Sequence, residues 1–258
     1  MRIVRFSDGD SPRYGVLEDD STRIVVLKGD PLFAPIEPDG RIVELDEVRL
    51  LSPVIPRSKV VGLAGTYGDA QRWRDDGTLI PPGLFLKPNT SVIGPDDPVV
   101  NPAWARDVLH EGELAVVIKT LAKDVPADRA DEVILGYTCA DDVTASGSMS
   151  PGAPWSTAKG FDTACPLGPW IVVDPGLDVS NLTVTTSVDG RVCGRGSTAD
   201  LNMSVAQIVS YASSVFTLLP GDVIITGAPA ATGAVEAGRL VEVEIEGIGT
   251  LSTPVRSS

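Results

Sequence analysis

Two glutamates flanking a glycine, Glu111-Gly112-Glu113, open an uninterrupted apolar run, Leu114-Ala115-Val116-Val117-Ile118. Such a run reads as a buried strand, and on a strand residues two apart share a face. Glu111 and Glu113 therefore point the same way, and two carboxylates side by side at the mouth of an apolar strand repel each other. A hard divalent cation with oxygen ligands is the simplest compensation. The spacing alone leaves a second reading open, two exposed acids at a strand end. A further strand-like segment, Gly136-Tyr137-Thr138-Cys139-Ala140, also ends in acids, Asp141 and Asp142. A carboxylate there would complete a three-carboxylate site. Three protein oxygens leave half an octahedron for a bidentate substrate and a water. Alternation turns Asp141 to the opposite face, as a surface group or one behind the ligands. In Trp155-Ser156-Thr157-Ala158-Lys159-Gly160-Phe161-Asp162, a lysine stands among small and aromatic residues. There it would face a substrate anion with a pKa lowered by burial, or else be a solvated surface lysine.

The elements that must position these groups are mostly strands. Arg13–Leu17 and Thr22–Leu27 are β-branched runs joined by a polar turn, a hairpin signature. Prolines punctuate the chain from Pro31 to Pro56, so residues 1–55 read as a small β-rich N-terminal domain and 56–258 as the catalytic domain. Lys59–Leu63 and Phe85–Lys87 read as short strands. Between them a polar stretch from Gly65 to Pro82 has the composition of a mobile lid or a surface loop. Beyond it short apolar runs alternate with turns: Val133–Cys139, Trp170–Val173, Leu182–Val188, Val223–Thr226 and Leu240–Ile245. Two helices are expected, at Pro126–Val133 and Ser204–Thr217. The second has Ser204 as N-cap and Val205, Ile208, Val209, Ala212 and Val215 at helical spacing. The architecture implied is a mostly antiparallel or mixed β-rich α+β fold with few helices.

The 258 residues are enough for a sizeable core without staples. A formal charge of −14 argues against a nucleic-acid backbone as partner. No apolar run approaches the roughly 18–20 residues that span a bilayer, and the N-terminus lacks a signal-peptide core. The three cysteines, Cys139, Cys165 and Cys193, are too widely spaced for a zinc pair or a disulfide framework. A cytoplasmic protein without membrane or nucleic-acid partners is expected.

Taken in order, the motifs resemble the fumarylacetoacetate hydrolase superfamily, near its bacterial isomerase-type members. That family's pattern reads approximately FxKP, ExE, NDVSxRD, KGFD with a following GPWIV, LxPGDxIxTGTPxG and GIGxLxNPV. This chain has Phe85-Leu86-Lys87-Pro88, Glu111-Gly112-Glu113, Asp141-Asp142-Val143-Thr144, Lys159-Gly160-Phe161-Asp162 and Gly168-Pro169-Trp170-Ile171-Val172. Leu219-Pro220-Gly221-Asp222, Thr226-Gly227-Ala228-Pro229 and Gly247-Ile248-Gly249-Thr250-Leu251 follow. The motifs run from about Val60 to Val255. Each is weak alone, and the ordered set is specific. The resemblance implies a rolled mixed β-sheet or barrel core that binds Mg²⁺ or Mn²⁺ through Glu111, Glu113 and Asp142. It also implies an active-site lysine at Lys159, substrate contacts from Lys87 and Thr226, and a homodimer. Its substrates are small 2-oxo or 1,3-dicarbonyl acids chelated to the metal, which polarises the carbonyl as a Lewis acid.

The pattern breaks at the lid. Hydrolases and decarboxylases of this family carry a His–Glu pair there, whereas this chain has a single histidine, His110, beside the metal motif. Strand alternation points His110 away from the carboxylate face, which makes it structural. Tyr67 and Asp69 are the remaining lid acid/base candidates. The Arg–Asp pair of NDVSxRD has become Ser146 and Gly147, and TGTP has become Thr226-Gly227-Ala228-Pro229. Loss of a positioned acid/base costs roughly 10²–10⁴ in rate. Three functions compete: a C–C bond hydrolase, the family default; a tautomerase, isomerase, decarboxylase or cyclase, which needs no activated water; and a metal-binding scaffold without activity.

Overall fold

The computed structural model describes residues 1–9, 11–68, 80–147 and 154–258. Its centre is a mixed 12-stranded sheet. Along the sheet run Pro38–Glu44, Arg23–Leu27, Arg13–Leu17, Arg2–Ser7, Cys165–Val172, Ile134–Asp141, Gly112–Ile118, Val223–Ile225, Val60–Ala64 and Gly83–Lys87. The neighbours are antiparallel except where Val223–Ile225 lies parallel to Val60–Ala64. The hairpin expected near the N-terminus is present, with Gly15 opposite Val26. These N-terminal strands continue the central sheet, because Arg2 pairs with Val172.

Gly112–Ile118 is buried at every residue, and its two faces serve two packing layers. Leu114, Val116 and Ile118 pack with Ile208, Val209 and Ala212 of the Val205–Val215 helix. Ala115 and Val117 pack with Phe85, Ala140, Cys165, Val223 and Ile225. A strand covered on both sides shows a continuous apolar run rather than alternation. The helix starts as expected: Ser204 accepts from the Gln207 backbone N–H, and the Gln207 side chain reaches back to the Ser204 N–H. Val215 falls off the buried stripe and is 49% exposed in the last turn.

The other expected helix is corrected. Ala127–Glu132 is a 3₁₀ segment behind Pro126. Only Ala130 is buried along it, too little apolar surface to hold an α-helix, and the chain must re-enter the sheet at Ile134. The Ser156–Lys159 helical turn was not anticipated; four residues are too few to show a period. Five further strands form a second sheet in the order Arg191–Ser197, Thr183–Val188, Leu240–Ile245, Gly249–Ser257 and Val99–Asn101. A small antiparallel ribbon pairs Asp107–Leu109 with Thr144–Ser146. Among the described residues no helix is long and apolar enough to cross a membrane, and Cys139, Cys165 and Cys193 are free thiols.

Candidate active site

Register brings the carboxylates together. Glu113 lies opposite Ala140 and Gly112 opposite Asp141, and the Asp142 N–H donates to the Glu111 carbonyl at 2.9 Å. Facing residues of an antiparallel pair point to the same side. Glu111, Glu113 and Asp142 therefore share the face that carries Ala115 and Ala140, as the spacing predicts. Asp141 and His110 fall on the other face. That second face is tightly filled: a Cβ on Gly112 would lie 2.3 Å from Thr186 Oγ1 and 3.0 Å from Val243 Cγ1. Only a glycine lets the second sheet close over the Glu-Gly-Glu strand.

Two lysines meet two of the three carboxylates. Lys159 Nζ lies 2.5 Å from Glu111 Oε2 and 2.5 Å from Asp142 Oδ2. Lys87 Nζ donates to Asp142 Oδ1 and to the Lys159 carbonyl, each at 2.5 Å. Thr144 Oγ1 donates to Glu111 Oε2 at 2.7 Å. The Gly227 N–H donates to Glu113 Oε2 at 2.6 Å. Glu111 is the open member, with 25% of its side chain exposed, and Lys159 retains 12%. Lys87, Glu113 and Asp142 are buried. The Phe85 ring lies under Lys159, with Nζ 5.3 Å from its centroid, and Trp155 meets Phe85 edge to face at 5.5 Å.

Burial by itself would lower the pKa of the Lys159 ammonium. Asp142 and Glu111 outweigh it, and the group is held above its ordinary value. The sequence reading of a lysine tuned downward is therefore corrected: Lys159 is a firm cation. Glu113 is pushed well above the usual carboxylate range, first by burial and then by Asp142, with Lys159 opposing. Three carboxylates thus face two ammoniums, and neither ammonium is bonded to Glu113.

That imbalance tests the metal which the resemblance implies. Among the described residues no three His, Cys, Asp or Glu side chains stand as a ready-made ligand set; Glu111 and Asp142 turn oxygens onto Lys159 Nζ instead. The donor chemistry still fits a hard cation. Three carboxylates on one face, met by two ammoniums, are one positive charge short, and the carboxylate that no ammonium touches, Glu113, has its proton held tightly by burial and by Asp142.

The remaining residues fall as follows. Lys87 and Thr226, assigned to the substrate from the motifs, spend their polar atoms inside the protein: Thr226 Oγ1 donates to the Leu114 carbonyl at 2.9 Å. Tyr67 carries a phenol pushed up by burial, then by Glu113 and Asp200, and its hydroxyl has no hydrogen-bond partner among the described residues. It is a proton donor rather than a base near neutrality. Asp69 lies outside the described residues. Asp141 is no surface group: it is fully buried, with Oδ2 2.5 Å from His110 Nδ1 and Oδ1 accepting the Glu111 N–H at 3.0 Å. The two residues stand 31 apart in the chain, and the only sequence signal was alternation, which put both off the carboxylate face. Thr144 and the Gly227 N–H were missed, since neither residue type advertises a bond to a carboxylate.

A β-rich core whose adjacent strands gather three carboxylates on one face, two of them bonded to lysines, is the class of site these observations define. A model of the family, fumarylacetoacetate hydrolase C-terminal, matches residues 60–256, and one described as Rv2993c-like, N-terminal, matches residues 1–53. The chain belongs to the fumarylacetoacetate hydrolase family. Among solved structures it resembles a 5-carboxymethyl-2-hydroxymuconate delta-isomerase from Mycobacterium smegmatis, at 43% identity and TM-score 0.91 over 100% of both chains. Among curated proteins it is 30% identical to a mitochondrial oxaloacetate tautomerase of Xenopus laevis, over 99% of this chain and 90% of the relative. A maleylpyruvate hydrolase from Sphingobium, solved with manganese(II) and pyruvate, matches at 28% identity and TM-score 0.81 over 100% of both chains.

Proposed function

We propose that the chain is a divalent-metal-dependent enzyme that interconverts keto and enol forms of a small 2-oxo or 1,3-dicarbonyl acid, without hydrolysing a C–C bond. The observation that carries this reading is the position of the single histidine. His110 is buried on the far face of the metal motif, with Nδ1 bound to Asp141. It is in no position to deprotonate an attacking water, the step that hydrolysis adds to enolisation. Among relatives, an isomerase and a tautomerase carry names of this kind, while the maleylpyruvate hydrolase keeps the family default in play as the second reading.

Glu111, Glu113 and Asp142 would hold Mg²⁺ or Mn²⁺. Such an ion supplies Lewis-acid polarisation of a chelated carboxylate–keto pair. The rest falls to the chain itself. Lys159, a firm cation bordered by Phe85 and the open Glu111, donates N–H bonds to the oxygen on which enolate charge develops. Lys87 ties Asp142 to the Lys159 backbone, so the carboxylate and the ammonium keep one geometry. From enol to keto, Tyr67 gives its Oη proton to carbon and takes back the proton that the enol oxygen loses, so the phenol is restored; from keto to enol the same two transfers run in reverse. Trp155 and Phe85 keep water off one side of this centre.

The test is an NMR experiment in deuterium oxide with oxaloacetate and an acylpyruvate, with Mn²⁺ or Mg²⁺ and then with chelator. Exchange of the α-proton well above the protein-free rate, lost on chelation, with little cleavage, is the expected result. Fast metal-dependent cleavage of the acylpyruvate would return the hydrolase reading; exchange indifferent to chelator would remove the metal. The homodimer expected from the resemblance is checked separately by sedimentation velocity at micromolar concentration.

A further inference from the structure

We propose that Thr66 is a positioning residue for the ion-binding carboxylates: its hydroxyl locks the Thr226–Gly227 peptide, whose N–H holds Glu113 in place. This rests on the reading of the site given above.

The observation is one peptide group bonded on both sides. Thr66 Oγ1 donates to the Thr226 carbonyl at 2.6 Å. The N–H of the same peptide, that of Gly227, donates to Glu113 Oε2 at 2.6 Å. Among the described residues this is the only hydrogen bond made to the Glu113 carboxylate. Lys87 and Lys159 are bonded to Asp142 and Glu111 instead. The aim of Glu113 therefore falls to Gly227, which tethers Oε2 and leaves Oε1 to an ion.

The fold delivers the hydroxyl to this peptide. Val60–Ala64 and Val223–Ile225 run parallel, with Gly62 beside Ile225, so the residues that follow the two strands leave the sheet side by side. The hydroxyl lies directly against Gly227: that residue has φ +92°, and a Cβ on it would fall 1.9 Å from Thr66 Oγ1. Thr66 is buried and held in its turn, since its carbonyl accepts the Asn202 N–H at 2.8 Å. On the other side the Thr226 N–H donates to the carbonyl of Leu114, the residue after Glu113, at 3.1 Å. A peptide whose carbonyl accepts a hydrogen bond is polarised, and its N–H becomes a better donor. A carboxylate as acceptor makes that second bond charge-assisted. Without the hydroxyl a buried carbonyl loses its partner. Glycine offers the least resistance to the rotation that follows, and Glu113 loses its tether. The strands themselves do not need the bond, because their own ladder already joins them.

The experiment compares Thr66→Val with Thr66→Ser in the full-length protein. Valine keeps the shape and removes the donor, whereas serine keeps the donor. Exchange of the Gly227 amide with solvent deuterium is followed by NMR in chelator. Mn²⁺ affinity is read by calorimetry without substrate. Thr66→Val should exchange the Gly227 amide at least about tenfold faster than the parent and bind Mn²⁺ at least about fivefold more weakly. Thr66→Ser should stay within about twofold of the parent in both. The Asn202 amide should keep its protection in both variants, which a general loosening would not allow. In a Glu113→Gln background, Thr66→Val should move the Mn²⁺ affinity by less than about twofold, because the route runs through Glu113. Should the valine variant not fold, Thr66→Ala against Thr66→Ser makes the same comparison. Unaltered Gly227 exchange and Mn²⁺ affinity in Thr66→Val overturn the proposal. So do equal losses in the valine and serine variants, or a loss undiminished in Glu113→Gln. Neither readout uses turnover, so a parent that exchanges no substrate proton would sink the proposed reaction and leave Thr66 standing.

Discussion

Lys159 shows how far one side chain's chemistry depends on its two neighbours. A buried ammonium is ordinarily pushed toward neutrality, but Glu111 and Asp142 lie at 2.5 Å from Nζ and reverse the sign. The residue is therefore no base at neutral pH and acts as fixed positive charge. Lys159→Met removes that charge while preserving most of the apolar contact with Phe85. The expected outcome is a fall in kcat/KM for metal-dependent exchange of at least about tenfold, roughly 1.4 kcal/mol of barrier. The melting temperature with saturating Mn²⁺ should stay close to the parent's, since a divalent cation replaces the missing charge. Unaltered turnover would detach Lys159 from the reaction.

At the scale of elements, the site is made by the pairing of Gly112–Ile118 with Ile134–Asp141 and by what closes over them. The weak point is Gly112, where Thr186 Oγ1 of the second sheet occupies the space a side chain would need. Gly112→Ala should destabilise the protein by about 1–3 kcal/mol, the usual cost of overpacking a full core. Thr186→Ala in the same chain should recover part of that loss, giving a coupling energy between the two positions in a double-mutant cycle of chemical unfolding. Strict additivity would mean that the second sheet does not press on the Glu-Gly-Glu strand. This contact was illegible in the sequence. A glycine between two acids carries no mark of whether it serves a turn or a close approach, and its partner lies more than seventy residues away. The carboxylate trio itself was legible, because alternation on two apolar strands dictates which acids share a face. The His110–Asp141 pair was half legible: alternation placed both away from the carboxylate face, but their mutual bond depends on how the strands register.

For the whole molecule, the burial of Glu113 without an ammonium partner links folding to pH. Glu113 holds its proton more tightly in the folded chain than in the unfolded one. Between its ordinary value of 4.5 and its raised one, the folded state binds the extra proton, so stability falls as pH rises. Above the raised value the penalty is complete. In chelator, Glu113→Gln lacks this penalty, so its melting temperature should gain on the parent's as pH climbs from about 4.5 toward neutrality. With Mn²⁺ the order should reverse. An ion that binds only the folded state stabilises by about 2.7 kcal/mol at one hundred times its dissociation constant, and the glutamine variant binds it poorly. A melting difference that is flat with pH and blind to Mn²⁺ would remove Glu113 from the site.

The sequence by itself determined the β-rich class, the hairpin at the N-terminus, the capped helix at Val205–Val215, the family, and which three acids and one lysine make up the candidate site. Each of these follows from local chemistry: period-two and period-3.6 apolar patterns, a serine cap, and motifs whose order along the chain survives without the fold. Only the tertiary structure decided the charge state of Lys159, the isolation of Glu113, the burial of Lys87 and Asp141, and the arrival of Thr66 at the Thr226 carbonyl. Those depend on register and on sheet-to-sheet contact, where residues far apart in the chain meet in a medium of low polarity. There an ångström of position or one lost water changes which charge prevails, and no spacing along a single strand encodes it.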